Sequence, residues 1–148
     1  ATQKTRSAPP PRLFGMSTLA PPSATPSRSH PFFSPVRREG DWAFVSGQMA
    51  FDAQLRIVGD DVAAQTRTCL DRIQAALAAD GLGLAQVVKA MVWLRRVEDF
   101  AEFNRTYEAV LREHTAQAPA RSTVRADLMV PEALVEIEVV AHVPGLPR

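Results

Sequence analysis

The stretch Leu134–Val143, LVEIEVVAHV, repeats with a period of two. Val135, Ile137, Val139, Ala141 and Val143 make one wholly apolar face, and Leu134, Glu136, Glu138, Val140 and His142 make the other. Such a segment is a strand whose apolar face rests on a core. Its second face is too apolar for open solvent and too charged for a closed core, which points to contact with another copy of the chain. One covered and one uncovered face is the pattern of a sheet with helices on a single side.

Two amphipathic stretches supply that cover. After Asp60 or Asp61, either of which can cap a helix, Val62, Thr66, Cys69, Leu70, Ile73 and Leu77 share one helical face, and Asp80-Gly81-Leu82-Gly83 stops it. A second helix starts at Asp99, with Glu102 placed for a capping box and Phe100, Phe103, Tyr107, Val110 and Leu111 as its apolar set. Trp42–Gln48 alternates into a turn, Gln86–Leu94 (QVVKAMVWL) is a β-rich run, and Pro119 returns the chain to an extended course over Arg121–Ala126. The order is strand, helix, strand, helix, strand, strand, with room for one more strand before Trp42. This predicts an α+β two-layer sandwich over residues 31–148, a single domain by length. Residues 1–30 are rich in Pro, Ser, Ala and Thr without periodicity and read as a disordered tail. Met16 offers a natural start, so residues 1–15 read as an appended extension.

Composition narrows the function. Apolar residues make up 46% and charged residues 22% of the 148, with 17 Lys and Arg against 16 Asp and Glu, so a globular protein without a nucleic-acid-binding charge excess is expected. No apolar run approaches the roughly 20 residues that span a bilayer, and the chain reads as soluble and membrane-free. Cys69 is the only cysteine, which excludes an intrachain disulfide and a multi-cysteine zinc site and makes a reducing, cytoplasmic setting the default. His30, His114 and His142 lack metal-ligand spacing, and no glycine-rich phosphate loop is present.

Few residues remain for chemistry. Arg121, at the start of a β-branched stretch, suits either a two-pronged grip on a carboxylate or a structural ion pair. Glu136 and Glu138 share the uncovered strand face. Each reads either as a solvated charge or as a carboxylate desolvated against a partner and suited to proton transfer. Cys69, on the apolar side of its helix, reads as a core thiol, and Ser46 lacks the surroundings of a hydrolase nucleophile. Trp42 and Trp93 read as core or interface residues.

Taken in order, Val45-Ser46-Gly47-Gln48, Ala64-Gln65-Thr66-Arg67, Val87-Val88-Lys89, Asp99-Phe100 with Asn104 and Tyr107, Pro119-Ala120-Arg121-Ser122-Thr123-Val124 and Leu134-Val135-Glu136-Ile137-Glu138 resemble the RidA/YjgF family of reactive-intermediate deaminases. The resemblance runs from about Phe33 to Val143. It implies a chorismate-mutase-like fold, a homotrimer whose sheets form an inner barrel, and clefts between subunits. It further implies cofactor-free and metal-free hydrolysis of enamines and imines, such as 2-aminoacrylate and 2-iminopropionate, to 2-oxo acids and ammonia. Within it Arg121 matches the arginine that grips the substrate carboxylate, and Glu136 the glutamate beside the attacking water. Gly47 and Thr123 match positions whose backbone lines the pocket, and Asn104 and Tyr107 match residues near it on the second helix. Phe33 stands where many members carry a tyrosine from the neighbouring subunit, and Thr123 where close relatives often carry cysteine. Those departures leave open a bulkier or pathway-specific enamine of the aminomuconate type. A non-catalytic, ligand-binding or chaperone-like member would share the same fold, and ribonuclease activity, also ascribed to relatives, is disfavoured by the even charge.

Overall fold

A computed structural model of the chain describes residues 31–145; the expected tail, with Met16 and His30, lies outside them. Five strands and two helices follow in the order β1 (Val36–Glu39), β2 (Trp42–Gln48), α1 (Val62–Ala78), β3 (Val87–Leu94), α2 (Phe100–Arg112), β4 (Ala120–Arg125) and β5 (Val135–His142). The strands form one mixed sheet in the order β1-β2-β5-β3-β4. Only β3 and β4 run parallel, because α2 carries the chain back between them as a crossover. The additional strand before Trp42 is β1, a short hairpin partner of β2 turned by Gly40.

The most informative strand is central, paired with β2 on one side and β3 on the other. Val135, Ile137, Val139 and Ala141 are buried under the helices, and Val143 packs at the margin. From the other side α1 contributes Val62, Thr66, Cys69, Leu70, Ile73 and Leu77, all buried as their spacing predicts. Asp61 rather than Asp60 is the cap, its carboxylate accepting from the Ala64 N–H at 2.8 Å. The helix ends through Gly81, whose φ of 72° an L side chain rarely adopts, so that the Leu82 N–H closes on the Leu77 carbonyl at 3.0 Å.

Three local expectations are corrected. A 3-10 turn, Val97–Asp99, runs straight into α2, so Asp99 is already helical and makes no capping bond. Its carboxylate is taken by Arg96, and Glu102 pairs with Arg105, so the capping box does not form. Gln86 does not begin β3 but closes a 3-10 turn, accepting from the Gly83 N–H at 2.8 Å. Phe100 is 45% exposed and stands off the core that Phe103, Tyr107, Val110 and Leu111 join.

Side chains from distant segments lock the loops. Gln65 of α1 donates to the carbonyls of Gly59 and Glu132 and accepts from the Leu134 N–H. Arg95 binds the carbonyls of Leu128, Val130 and Ala133, fixing the chain between β4 and β5. Among the described residues no helix is long and apolar enough to cross a membrane.

Ile137 sits with no exposed surface in the core beneath the helix layer, where β5 meets α1. Ile137→Ala removes buried methylenes from a site that the sheet prevents from collapsing, and is expected to cost about 2–5 kcal/mol. Urea unfolding monitored by circular dichroism checks this, with the midpoint falling at unchanged slope.

Candidate functional site

On β4, Arg121, Thr123 and Arg125 pair with Ala90, Val92 and Leu94 of β3, all three of them buried in the core. Arg121 therefore stands on the helix side of the sheet. Its Nη2 donates to Asn104 Oδ1 at 2.6 Å, and its guanidinium lies 5.2 Å from the centre of the Phe103 ring and 4.8 Å from that of Tyr107. Two aromatic faces and one amide thus hold the cation without neutralising it. Among the described residues Arg121 has no carboxylate within ion-pair distance, so no ion pair within them holds it. Four more N–H donors remain for a ligand. Beside it opens a cleft of about 470 Å³ lined by Asn104, Tyr107, Leu111, Pro119 and Arg121. Burial raises the Tyr107 phenol above its ordinary pKa, with the charge of Arg121 opposing that shift, so the hydroxyl stays protonated at neutral pH.

Glu136 belongs to a different neighbourhood. It pairs with Trp93, and this places it on the uncovered face, as the alternation of β5 predicts. Between Val45 and Gln48 the β2–β5 register slips, and Gly47 lies in that bulge. The space that a Cβ of residue 47 would take is filled by the Glu136 carboxylate. Desolvation raises the pKa of Glu136 above the usual glutamate value, and the like charge of Glu138 raises it further. Phe33, exposed, precedes the segment whose Ser34 and Pro35 carbonyls accept from the Ser46 hydroxyl at 2.7 Å and the Ser46 N–H at 3.0 Å. It thus belongs with the Gly47 bulge.

The predicted residues accordingly fall into two groups. Arg121, Asn104, Tyr107 and Thr123 line the groove between α2 and β4; Gly47, Glu136 and the Phe33 segment lie at the outer face of β2 and β5. A ligand held by Arg121 is on the far side of the sheet from Glu136 of the same chain. The contacts that support the bulge carried no local signal. Arg72 of α1 donates to Gln48 Oε1 at 3.1 Å and to the Phe51 carbonyl at 3.1 Å, and Gln48 in turn donates to the Ser46 carbonyl at 2.9 Å, so the bulge is pinned from the helix layer. Neither pairing has a sequence period that reveals it. Cys69 is fully buried and its thiol is pushed up to about 12 by burial, in keeping with a core thiol.

A five-stranded mixed sheet covered on one face by two helices sets the class of the protein, a two-layer α+β fold with its other sheet face uncovered. Within that class, the family model described as endoribonuclease L-PSP matches residues 23–143, and the chain belongs to this family, the one that holds the RidA/YjgF proteins. A 2-iminobutanoate/2-iminopropanoate deaminase of Salmonella typhimurium is 38% identical over 102 residues, 69% of this chain and 80% of the relative. The crystal structure of the YjgF gene product of E. coli superimposes with a TM-score of 0.70 at 36% identity, covering 74% of this chain and 87% of that one. E. coli TdcF, solved with bound serine, gives a TM-score of 0.69 at 31% identity over the same shares.

Gly47→Ala places a methyl group against the Glu136 carboxylate, the far end of a flexible side chain. Stability is expected to change by less than about 1 kcal/mol while the carboxylate is displaced. A thermal melt near that of the wild type, together with a large loss of the activity proposed below, checks this.

Proposed function

We propose that the chain hydrolyses the imine and enamine forms of small 2-amino acids to 2-oxo acids and ammonia, in a cleft that one copy of the chain completes for another. The observation that carries this reading is Arg121, held by an amide and two aromatic rings with no carboxylate of its own. Such a guanidinium binds a ligand carboxylate with two parallel hydrogen bonds. The curated relatives named as deaminases of imino acids and the serine-bound relative, whose ligand is a small 2-amino acid, support the same substrate class.

The division of the site residues between two sheet faces supports a homo-oligomer, for which we propose the threefold ring that the family resemblance implies. Trp42 and Phe44 are about half exposed on the outer face, beside Trp93, Met91 and Val140, and form an apolar surface suited to burial between copies. In that arrangement Arg121, Asn104, Tyr107 and Thr123 of one copy meet Gly47, Glu136 and Phe33 of the next. The cleft beside Arg121 is far larger than a three-carbon imino acid, which leaves space for a neighbouring copy to enter.

The chemistry needs little more than positioning. An imine carbon is already electrophilic, and Arg121 fixes it through the adjoining carboxylate. Glu136, its basicity raised by desolvation, accepts a proton from water as the water oxygen bonds to the imine carbon, and the imine nitrogen takes up a proton. The resulting carbinolamine loses ammonia: its nitrogen takes the proton that Glu136 took from water, the carbon–nitrogen bond breaks as the hydroxyl proton is released to solvent, and the 2-oxo acid remains. An enamine first gains a proton at its β-carbon to give the same imine.

Arg121→Ala is expected to lower kcat/KM for 2-iminopropionate by about 10- to 100-fold, measured as ammonia release from an imine generated in situ. Activity equal to the wild type would overturn the anchor. Mixing Arg121→Ala with Glu136→Gln after dissociation and reassembly distinguishes a shared cleft from a private one. In a threefold ring each mixed assembly regains one intact site, about a quarter of all sites in a random mixture, whereas a cleft within one chain regains none.

The pH dependence follows from Glu136. Because its folded-state pKa is raised, its base form is lost at a higher pH than for an ordinary glutamate. The acidic limb of kcat/KM is therefore expected above the usual glutamate range. Glu138→Gln, which removes the like charge, moves that limb to lower pH.

A further inference from the structure

The groove between α2 and β4 is longer than the carboxylate anchor requires. It holds two hollows, and the hydrogen-bonded pair Arg121 and Asn104 lines the larger of them. That one is the cleft containing Tyr107 and Pro119. The other is a smaller hollow of about 170 Å³ lined by Leu94, Val97, Phe100, Thr123, Val124 and Arg125. Phe100 is one helical turn from Asn104 on α2, and Thr123 is the next residue after Arg121 on the same face of β4. The smaller hollow therefore adjoins the anchor directly.

Its walls are apolar apart from two groups. Thr123 Oγ1 is buried and has no hydrogen-bond partner. Arg125, at the end of the hollow, makes no hydrogen bond or ion pair through its guanidinium among the described residues. Asp127, the acid nearest in sequence, makes no ion pair with it among the described residues, and Asp99 is already held by Arg96 at 2.9 and 3.0 Å. Arg121, Thr123 and Arg125 thus form a row of cation, unpaired hydroxyl and cation along one strand face. The two arginine Cα atoms are four residues apart, about 13 Å, a span that two long arginine side chains can bridge onto a small diacid.

We infer that this hollow is a second anion subsite, and that the chain accepts imino diacids, with Arg121 on the 1-carboxylate and Arg125 on the distal one. The inference rests on the proposed deaminase reading. Leu94, Val97 and Phe100 pack on the intervening methylene groups, and Thr123 gains the acceptor that it lacks. A monoacid with a short side chain leaves the hollow empty.

Imines generated in situ from alanine, leucine and glutamate by amino-acid oxidases, with ammonia release as readout, test this in the full chain and in Arg125→Gln, a change at an exposed residue. The expected result is hydrolysis of the glutamate-derived imine that falls about tenfold or more in kcat/KM in Arg125→Gln, while the alanine-derived imine changes less than about twofold. If the variant treats all three imines as the wild type does, the subsite is wrong. If the wild type hydrolyses the alanine-derived imine but leaves the glutamate-derived one at the buffer rate, the subsite falls and the deaminase reading stands. If it hydrolyses none of them, the deaminase reading falls, and calorimetric titration with glutarate decides the subsite alone. Binding lost in Arg125→Gln then supports it, and equal binding overturns it.

Discussion

Neighbouring residues of a strand face opposite ways, so the register that buries Val135, Ile137 and Val139 beneath α1 and α2 also sends Glu136 and Glu138 to the far side of the sheet. A one-residue slip would exchange the two sets and place two carboxylates in the core, so the register is strongly fixed. The same register, passed through β3 to β4, holds Arg121 on the helix side opposite Ala90. Burial of the core and separation of the anchor from the carboxylate are thus one constraint. It also keeps Arg121 and Glu136 of one chain from quenching each other as an ion pair, as the proposed shared cleft requires.

The outer half depends on an irregularity in that regular sheet. A β-bulge at Gly47 opens space beside β5, and the Glu136 carboxylate fills it. A bulge costs ladder hydrogen bonds, and here side chains replace them. Gln48 reaches back to the Ser46 carbonyl, and Arg72 reaches across from α1 to Gln48 and Phe51. The helix layer that covers the core therefore also sets the shape of the opposite face. Arg95 does the same for the β4–β5 connection through three carbonyls, which brings Leu134 to the start of β5 in register.

Local patterns made much of this legible. The period-two run at 134–143, the helical face from Val62 to Leu77 and the Gly81 stop each concern residues close in sequence, and each is present. The capping box at Asp99 failed for a local reason that the pattern does not encode: a preceding 3-10 turn had already wound the chain. For the site, spacing left Arg121 open between a carboxylate grip and an ion pair, and its setting against Asn104, Phe103 and Tyr107, which favours the grip proposed above, is not visible in the local sequence. The roles of Gly47, Asn104 and Tyr107 came from family resemblance, because nothing in their immediate sequence marks them. Arg72 and Arg95 escaped both routes. Their partners lie about 20 to 40 residues away, and a long polar side chain that ties loops looks, in sequence, like any surface arginine.

Assembly and basicity are physically coupled in such an arrangement. Glu136 is only half-buried within one chain, and burial is already the larger cause of its raised pKa. It shares the outer face with Trp42, Phe44 and Trp93, so any contact that covers those rings also removes water from around the carboxylate. The apolar area favours association, while the charges on Glu136 and Glu138 oppose it. The gain from burying the aromatic groups is set against the desolvation of the carboxylates, and part of that opposition remains as a more basic Glu136. Arg121, held by neutral partners, is the corresponding case in the groove: its charge is oriented but not neutralised among the described residues. On the proposed function, each half is what the other lacks: one offers an unneutralised cation, the other a carboxylate of raised basicity.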